Sequence, residues 1–320
     1  MSRSRTPQRQ APVDPRRWRQ GLSVPPQKLE PPLDVTRGPG AGTSKHRPRA
    51  EAPERGMAMD LRPTLDHIVI SVPDLDGAVG RFRSLGFTVV EGGTHEDAPT
   101  HNALIGLEDA TYVELIAFTG GPTDADPGDE AASALGRLVE SWRTAGHGLV
   151  HFALNPTNIG ADIARCNRGG APYDGPFPGG RVRPDGRQVR WCMGIPHTRS
   201  LPFFCGDITP RQYRVPVGAS AIHDNGAYGV SEVTVAVPDP AIAETVYAAV
   251  LGKEPESDPR GGARFELEDA AVRLVGTGPD ESHGISALTL WTSDPARAGL
   301  LPSAQTAGAH IELQYRPRAG

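Results

Sequence analysis

The chain is poor in cysteine: three in 320 residues, at 166, 192 and 205, with no CxxC pair among them. An odd, scattered set offers no disulfide framework and fits a reducing compartment, so the expected location is the cytoplasm. Long apolar runs are missing as well. None approaches the roughly 18–20 residues that cross a bilayer, so no membrane partner is expected. There is no Walker-type phosphate loop, no dinucleotide fingerprint after a strand and no Gly-x-Ser-x-Gly elbow. These absences remove the common nucleotide-dependent and serine-nucleophile chemistries. What remains is 38% hydrophobic and 22% charged, enough apolar material for a packed core.

Charge is unevenly spread. Residues 1–56 carry a net charge of +7 and ten prolines, and the remainder carries −12. So few large apolar side chains cannot offset the entropy of ordering, and residues 1–60 read as a disordered basic tail. Arg16, Arg17 and Arg19 resemble a twin-arginine signal, but no apolar region follows them. Nucleic acid is not an expected partner. Met57 or Met59 is the expected functional start.

After the tail one pattern recurs. Residues 65–72 are β-branched and strand-like. Pro73-Asp74 ends them, with Asp74 placed to cap a helix. Leu75, Ala78, Val79, Phe82 and Leu85 follow at helical spacing, and Gly86 stops them. Strands are then predicted over 87–91, 101–107 and 111–118, giving one β-α-β-β-β unit. Leu135, Leu138, Val139 and Trp142 predict a linking helix. A second unit starts at Gly148, with a helix from about Thr157, a hairpin turning at Pro184-Asp185-Gly186 and a closing strand in LPFFCGDI. VSEVTVAVPDPAIAETVYAAVLG opens a third unit on the same pattern, and GISALTLWTSDPARAGLL a shorter fourth. The predicted class is α+β: paired β-α-β-β-β modules forming cupped mixed sheets, one pair over 61–215 and a second over 216–320.

The stretches LDHIVISVPDLDGAVGRFRSLGF, THNALIGLEDATYVELI, RVRPDGRQVRW and PFF, in that order, resemble the glyoxalase-like branch of the vicinal oxygen chelate superfamily. Residues 229–316 resemble it more loosely. The resemblance implies a cup that often holds a divalent metal (iron, zinc, nickel or manganese), bound by side chains from the first and last strands of each module. Strand alternation tests those positions. His67 lies on the face opposite Ile68 and Ile70. Glu114 shares its face with Tyr112 and Ile116. Aligning the helix starts of the two units puts His151 in the place of His67. His67, Glu114 and His151 are therefore the expected metal ligands, a set suited to iron or to zinc. The fourth position offers Phe203 or Phe204, and Asp207 reads as lying beyond the strand.

Other polar residues are assigned around the same cup. His101 is the candidate for proton transfer, and Asn102 is expected to hold a loop. Arg181, Arg183, Arg190 and Tyr112 are candidates for substrate binding, the arginines for an acidic group. Trp191 is expected to pack under a helix. In the second half Glu232 and Arg273 occupy the His67 and Glu114 positions and are expected to pair with each other, with Ala287 in the place of His151. No metal is expected there. Two functions follow: a metal-dependent isomerase, lyase or dioxygenase acting on a small oxygen-rich substrate, or a metal-free small-molecule binding protein of the bleomycin-resistance type. Four modules in one chain allow either a monomer or a homodimer.

Overall fold

The computed structural model describes residues 62–121, 129–268, 270–278 and 283–318. The predicted tail and the question of its start lie outside them. The first module runs β1 (Thr64–Ser71), α1 (Leu75–Ser84), β2 (Val90–His95), β3 (Thr100–Gly106) and β4 (Tyr112–Phe118). Helix α2 (Glu130–Ala145) leads to the second: β5 (Gly148–Asn155), α3 (Ile159–Arg168), β6 (Tyr173–Val182), β7 (Gln188–Pro196) and β8 (Phe203–Asp207). A single turn, α4 (Arg211–Arg214), follows. The third module comprises β9 (Ala227–Val237), α5 (Pro240–Leu251), β10 (Glu256–Ser257), β11 (Ala263–Glu266) and β12 (Ala271–Gly276). The fourth has β13 (Gly284–Thr292), a 3-10 turn at Pro295–Arg297, β14 (Gly299–Leu300) and β15 (Ile311–Tyr315).

All four modules begin alike for a local reason. The strand ends at an Asp or Asn whose side chain accepts from backbone N–H groups of the next turn: Asp74 from Gly77, Asn158 from Ala161, Asp239 from Ala241 and Ile242, and Asp294 from Ala296. Each such cap stabilises its helix start by about 1 kcal/mol. Capping at Asn158 starts α3 at Ile159, two residues after the expected Thr157.

The first two modules do more than cup. Their strands close into a barrel, in the order β1-β4-β3-β2-β6-β7-β8-β5. One seam is the antiparallel β1–β5 pair. The other is short, with Thr94 opposite Val182 and His95 opposite Arg181. A bulge at Gly92 shifts the β2–β3 register. Gly93, at φ +132°, lies so near β6 that an added Cβ would come within 2.1 Å of the Val182 carbonyl. Glycine is therefore required for closure there. Strand β2 consequently falls later than the expected 87–91. Residue 88 is drawn elsewhere: the Thr88 N–H donates to His223 Nδ1 at 2.9 Å and its hydroxyl to the Ile222 carbonyl at 2.5 Å.

The other modules form an open seven-stranded sheet, β10-β11-β12-β9-β13-β15-β14. It repeats two irregularities of the barrel. Asp66 is the extra residue of a bulge in the β1–β5 pair, and Ser231 in β9–β13. Val150 is the extra residue on the opposing strand, and Ser286 its counterpart. One apolar core runs along the barrel's outer face, through Ile68, Ile70, Phe82, Phe152 and Phe204, into Val233, Val235 and Phe265 of the second sheet and Tyr247 of α5. A separate cluster of Val69, Ile116, Trp142, Val189, Trp191, Met193 and Phe203 fills the barrel. In the open sheet, Glu232 and Arg273 do not pair with each other. Glu232 accepts from Arg260 and Arg264, whereas Arg273 donates to Asp258 at 2.7 Å. The β10–β11 connection supplies Asp258 and Arg260, and β11 itself Arg264.

Candidate functional site

Inside the barrel, the bulge in β1 turns two successive side chains, Asp66 and His67, toward the same polar cluster. His67 Nδ1 donates to Asp66 Oδ1 at 2.5 Å. That leaves Nε2 facing Glu114 Oε2 across 3.5 Å. The His67 ring stacks on Tyr112, with centroids 4.5 Å apart, and meets the Phe203 ring edge to face. Glu114 Oε1 accepts from Asn102 Nδ2 at 2.6 Å and lies 3.6 Å from His95 Nε2. His95 Nδ1 in turn shares a 2.8 Å hydrogen bond with Thr100 Oγ1.

These groups form the polar end of a small cavity of about 60 Å³. Leu135, Leu138 and Trp142 of α2 close one side of it, and Trp191, Met193 and Phe203 line another. Arg181 also reaches the cavity, and its Nη2 donates to the Arg214 carbonyl at 2.8 Å.

Burial and charge act in opposition here. Burial alone raises the Glu114 pKa, but the hydrogen bond to His67, the charges on His95 and His67 and the bond from Asn102 bring it down to about 2. Burial lowers the His67 pKa, but Asp66 and Glu114 overcome that and raise it. For His95 burial prevails over Glu114, and the pKa falls. Asp66, fully buried, is held well below the usual carboxylate range by Arg214, whose guanidinium meets Oδ1 at 2.7 Å and Oδ2 at 2.8 Å.

Several expected site residues lie elsewhere. His101 shares its face with Ala103 and Ile105, as expected, but that face packs toward α1 outside the barrel. With a period of two, its neighbour Asn102 is the cavity residue and does not hold a loop. Arg183 donates to the Tyr213 carbonyl and lies near Asp185, and Arg190 pairs with Glu96; neither lines the cavity. Trp191 lines the cavity inside the barrel, in the apolar cluster that Leu138 and Trp142 of α2 join. Asp207 is the last residue of β8, not beyond it, and grips Arg214.

His151 points into the barrel but not to Glu114. Its ring stacks on Phe203, with centroids 5.2 Å apart and planes within 4°. Its polar neighbours are the backbones of Leu201 and Arg199, outside hydrogen-bonding geometry, and burial takes its pKa to about 3. Register puts Phe203 in the fourth position, opposite Ala153 as Glu114 is opposite Val69. The expected three ligands therefore do not converge.

Among the described residues the group of three metal-capable side chains with ligand atoms within 4.8 Å of one another is Asp66, His67 and Cys205. It suits a cation poorly. Both Asp66 oxygens are taken by Arg214, with Arg211 adding a second positive charge at 2.6 Å, and burial pushes the Cys205 thiol up. His67 and Glu114 fit far better. An N···O separation of 3.5 Å is close to the roughly 3.4 Å that two ligands about 2.1 Å from a tetrahedral ion would show. The remaining nitrogen of His67 is oriented by a carboxylate, the outer-shell arrangement usual for metal-bound imidazole.

The amide that orients Glu114 depends on a glycine. A Cβ at Gly92 would lie 2.0 Å from Asn102 Oδ1. Gly92→Ala is expected to swing the amide away from Glu114 and lower stability by about 1–3 kcal/mol. Urea denaturation reads the loss, and an unshifted Asn102 side-chain resonance in an NMR spectrum would contradict the explanation.

Sequence reasoning missed His95, Asp66 and Arg214. Asp66 is concealed by the bulge. The other two reach the cluster through pairings with distant segments.

A family model described as a glyoxalase-like domain matches residues 65–251. No curated protein sequence matches the chain. A hypothetical protein from Staphylococcus aureus superposes with a TM-score of 0.63 at 14% identity, over 79% of this chain and 100% of that one. A triple mutant of 4-hydroxymandelate synthase from Streptomyces coelicolor gives 0.49 at 13% identity, over 81% and 95%. A methylmalonyl-CoA epimerase gives 0.32 at 22%, over 46% and 96%. Such identities bear on fold and not on chemistry. The family match spans more than half of the sequence, including nearly all of the barrel with His67, Asn102 and Glu114, and on it the chain belongs to the glyoxalase-like domain family.

Proposed function

We propose that the barrel is the active site of a metal-dependent enzyme acting on a small organic acid or similarly oxygen-rich molecule with a flat apolar body. The observation that carries this reading is the His67–Glu114 pair. One imidazole nitrogen is tied to Asp66, the other faces a carboxylate at 3.5 Å, and both groups open on a small cavity. A divalent ion held there by His67 and Glu114 would supply Lewis acidity toward a substrate oxygen. Asn102 keeps the Glu114 carboxylate turned to the cavity. Arg181 provides positive charge for an acidic group, while Trp142, Trp191 and Phe203 accept the apolar part and exclude water. Isomerase, lyase and dioxygenase chemistries all suit this arrangement, and iron, zinc, nickel and manganese are the candidate ions.

One observation favours a second reading. Phe203 stands where a fourth ligand would be expected, and its ring enlarges the apolar wall. A metal-free protein that sequesters a small aromatic molecule would use the same cavity.

Metal content by mass spectrometry separates the two. The full chain is purified without chelator or affinity metal, beside Glu114→Gln. Near-stoichiometric metal in the wild type, absent from the folded variant, is the expected result. No metal after reconstitution with any of the four ions would leave the binding protein as the better account.

A further inference from the structure

Asn102 holds the Glu114 carboxylate with one amide proton and has a second to place. Its Nδ2 lies 2.6 Å from Glu114 Oε1 and 3.5 Å from His95 Nε2. Its Oδ1 has no hydrogen-bond partner among the described residues and faces Gly92, where an added Cβ would lie 2.0 Å away. The amide is thus fixed from its nitrogen side.

Matching donors to acceptors assigns the protons. An amide nitrogen only donates, so the His95 Nε2 beside it is a bare acceptor; an N–H there would set two donors against each other. The single proton of a neutral imidazole is then on Nδ1, which donates to Thr100 Oγ1 at 2.8 Å. His95 Nε2 lies 3.6 Å from Glu114 Oε1, too far for a direct hydrogen bond. His95 therefore reaches the carboxylate through the amide. The three side chains come from one hairpin: His95 ends β2, Thr100 opens β3, and Asn102 follows two residues later on the same face. An edge-to-face contact with Trp191, at 5.9 Å between centroids, further fixes the His95 ring.

We propose that His95 is a positioning residue for Glu114, acting through Asn102 as a neutral imidazole with a bare Nε2. Two amide protons bound at once remove the rocking that one hydrogen bond permits. The chain Thr100–His95–Asn102 locks Oε1 and leaves Oε2, which faces His67 Nε2 at 3.5 Å, as the oxygen that meets a cation or substrate. His95 is not itself a ligand on this account. What concerns a cation rests on the metal-dependent reading given above; the hydrogen-bonded chain does not.

Nitrogen–proton correlation spectra of the histidine rings, taken on the full metal-free chain near neutral pH, read the tautomer directly and need no variant. His95 is expected to carry its proton on Nδ1. A proton on Nε2, or on both nitrogens, overturns the inference. The second arm is a double-mutant cycle on cobalt affinity, with wild type, His95→Ala, Asn102→Ala and the double variant. His95→Ala is expected to weaken binding roughly 10–100-fold, as loss of an outer-shell partner does. In the Asn102→Ala background the same change should cost less than about threefold. His95→Gln, whose amide oxygen can accept the same proton, should recover part of the loss. An equal His95 effect in both backgrounds would mean that the ring acts on the fold or on the cation directly, and the inference is wrong while the metal reading stands. If wild type binds neither cobalt nor zinc, iron, nickel or manganese, the metal reading fails. The hydrogen-bonded chain is then judged by the tautomer and by the Asn102 side-chain resonance, which should shift in His95→Ala; an unmoved resonance overturns it.

Discussion

Arg214→Met is expected to destabilise the protein by about 3–5 kcal/mol. The Arg214 side chain is 2% exposed, and its guanidinium serves two carboxylates and a phenol. It donates to Asp66 Oδ1 and Oδ2 at 2.7 and 2.8 Å, to Asp207 Oδ1 and Oδ2 at 2.6 and 3.0 Å, and to the Tyr112 hydroxyl at 2.8 Å. Asp66 is ionised and fully buried. Methionine preserves much of the volume but strands that charge, which is the costly way to break a buried pair. Arg211 remains at 2.6 Å and His67 at 2.5 Å, so the loss should fall short of isolating Asp66 completely. The physical claim is sharper in a double-mutant cycle. Adding Asp66→Asn to Arg214→Met should restore part of the loss, because the stranded charge is then gone, and the two single effects should not add. Urea midpoints with an unchanged dependence on denaturant provide the measurement. A single-variant loss below about 1 kcal/mol would show that water or Arg211 already satisfies Asp66.

Arg181→Met should act on binding and do so selectively. Arg181 is buried, lines the cavity and faces His95 across the barrel seam. Its Nη2 is held by the Arg214 carbonyl, and its Nε has no hydrogen-bond partner among the described residues. A buried guanidinium with an unused donor has a large incentive to meet a carboxylate. Hydrogen bonds to charged groups contribute about 1.5–3 kcal/mol, so affinity for small aromatic carboxylates should fall about 10- to 100-fold. The matching amides or alcohols should change less than about threefold. Quenching of Trp142 and Trp191 fluorescence, or calorimetry, can follow both series. Equal losses in both would mean that Arg181 supports the cavity wall and does not select for charge.

How far the site was legible follows from where its information lies in the chain. His67 and Glu114 were readable because a strand alternates and the apolar face of each, Ile68 and Ile70 or Val113 and Leu115, is unmistakable. The same rule placed Tyr112 correctly. It was also sufficient to exclude His101, since Ala103 and Ile105 on its face belong to the outer core, whereas Asn102 lies on the inner one. His151 shows the limit of alternation. Its inward face was right, but its ring settles on Phe203, whose position depends on β8. Arg181, Arg183 and Arg190 look equivalent in RVRPDGRQVRW, and only their distance from the seam separates them.

What the sequence by itself determined is local and repetitive: four strand-to-cap openings, the helical faces behind them, the alternation that turns His67 and Glu114 inward, and hence the modular α+β class. These depend on hydrogen bonds and side-chain spacing within a few residues, which is why one pattern could be read four times. The tertiary structure decided the rest. It closed the cup into a barrel at Thr94 and His95, brought Arg214 to Asp66 across 148 positions of chain and Arg211 across 145, and set His95 instead of His151 beside Glu114. No short stretch encodes those contacts. They exist because a bulge, a glycine pair and one turn of helix let distant segments meet inside a cavity from which water is largely excluded, where each buried charge must find its partner.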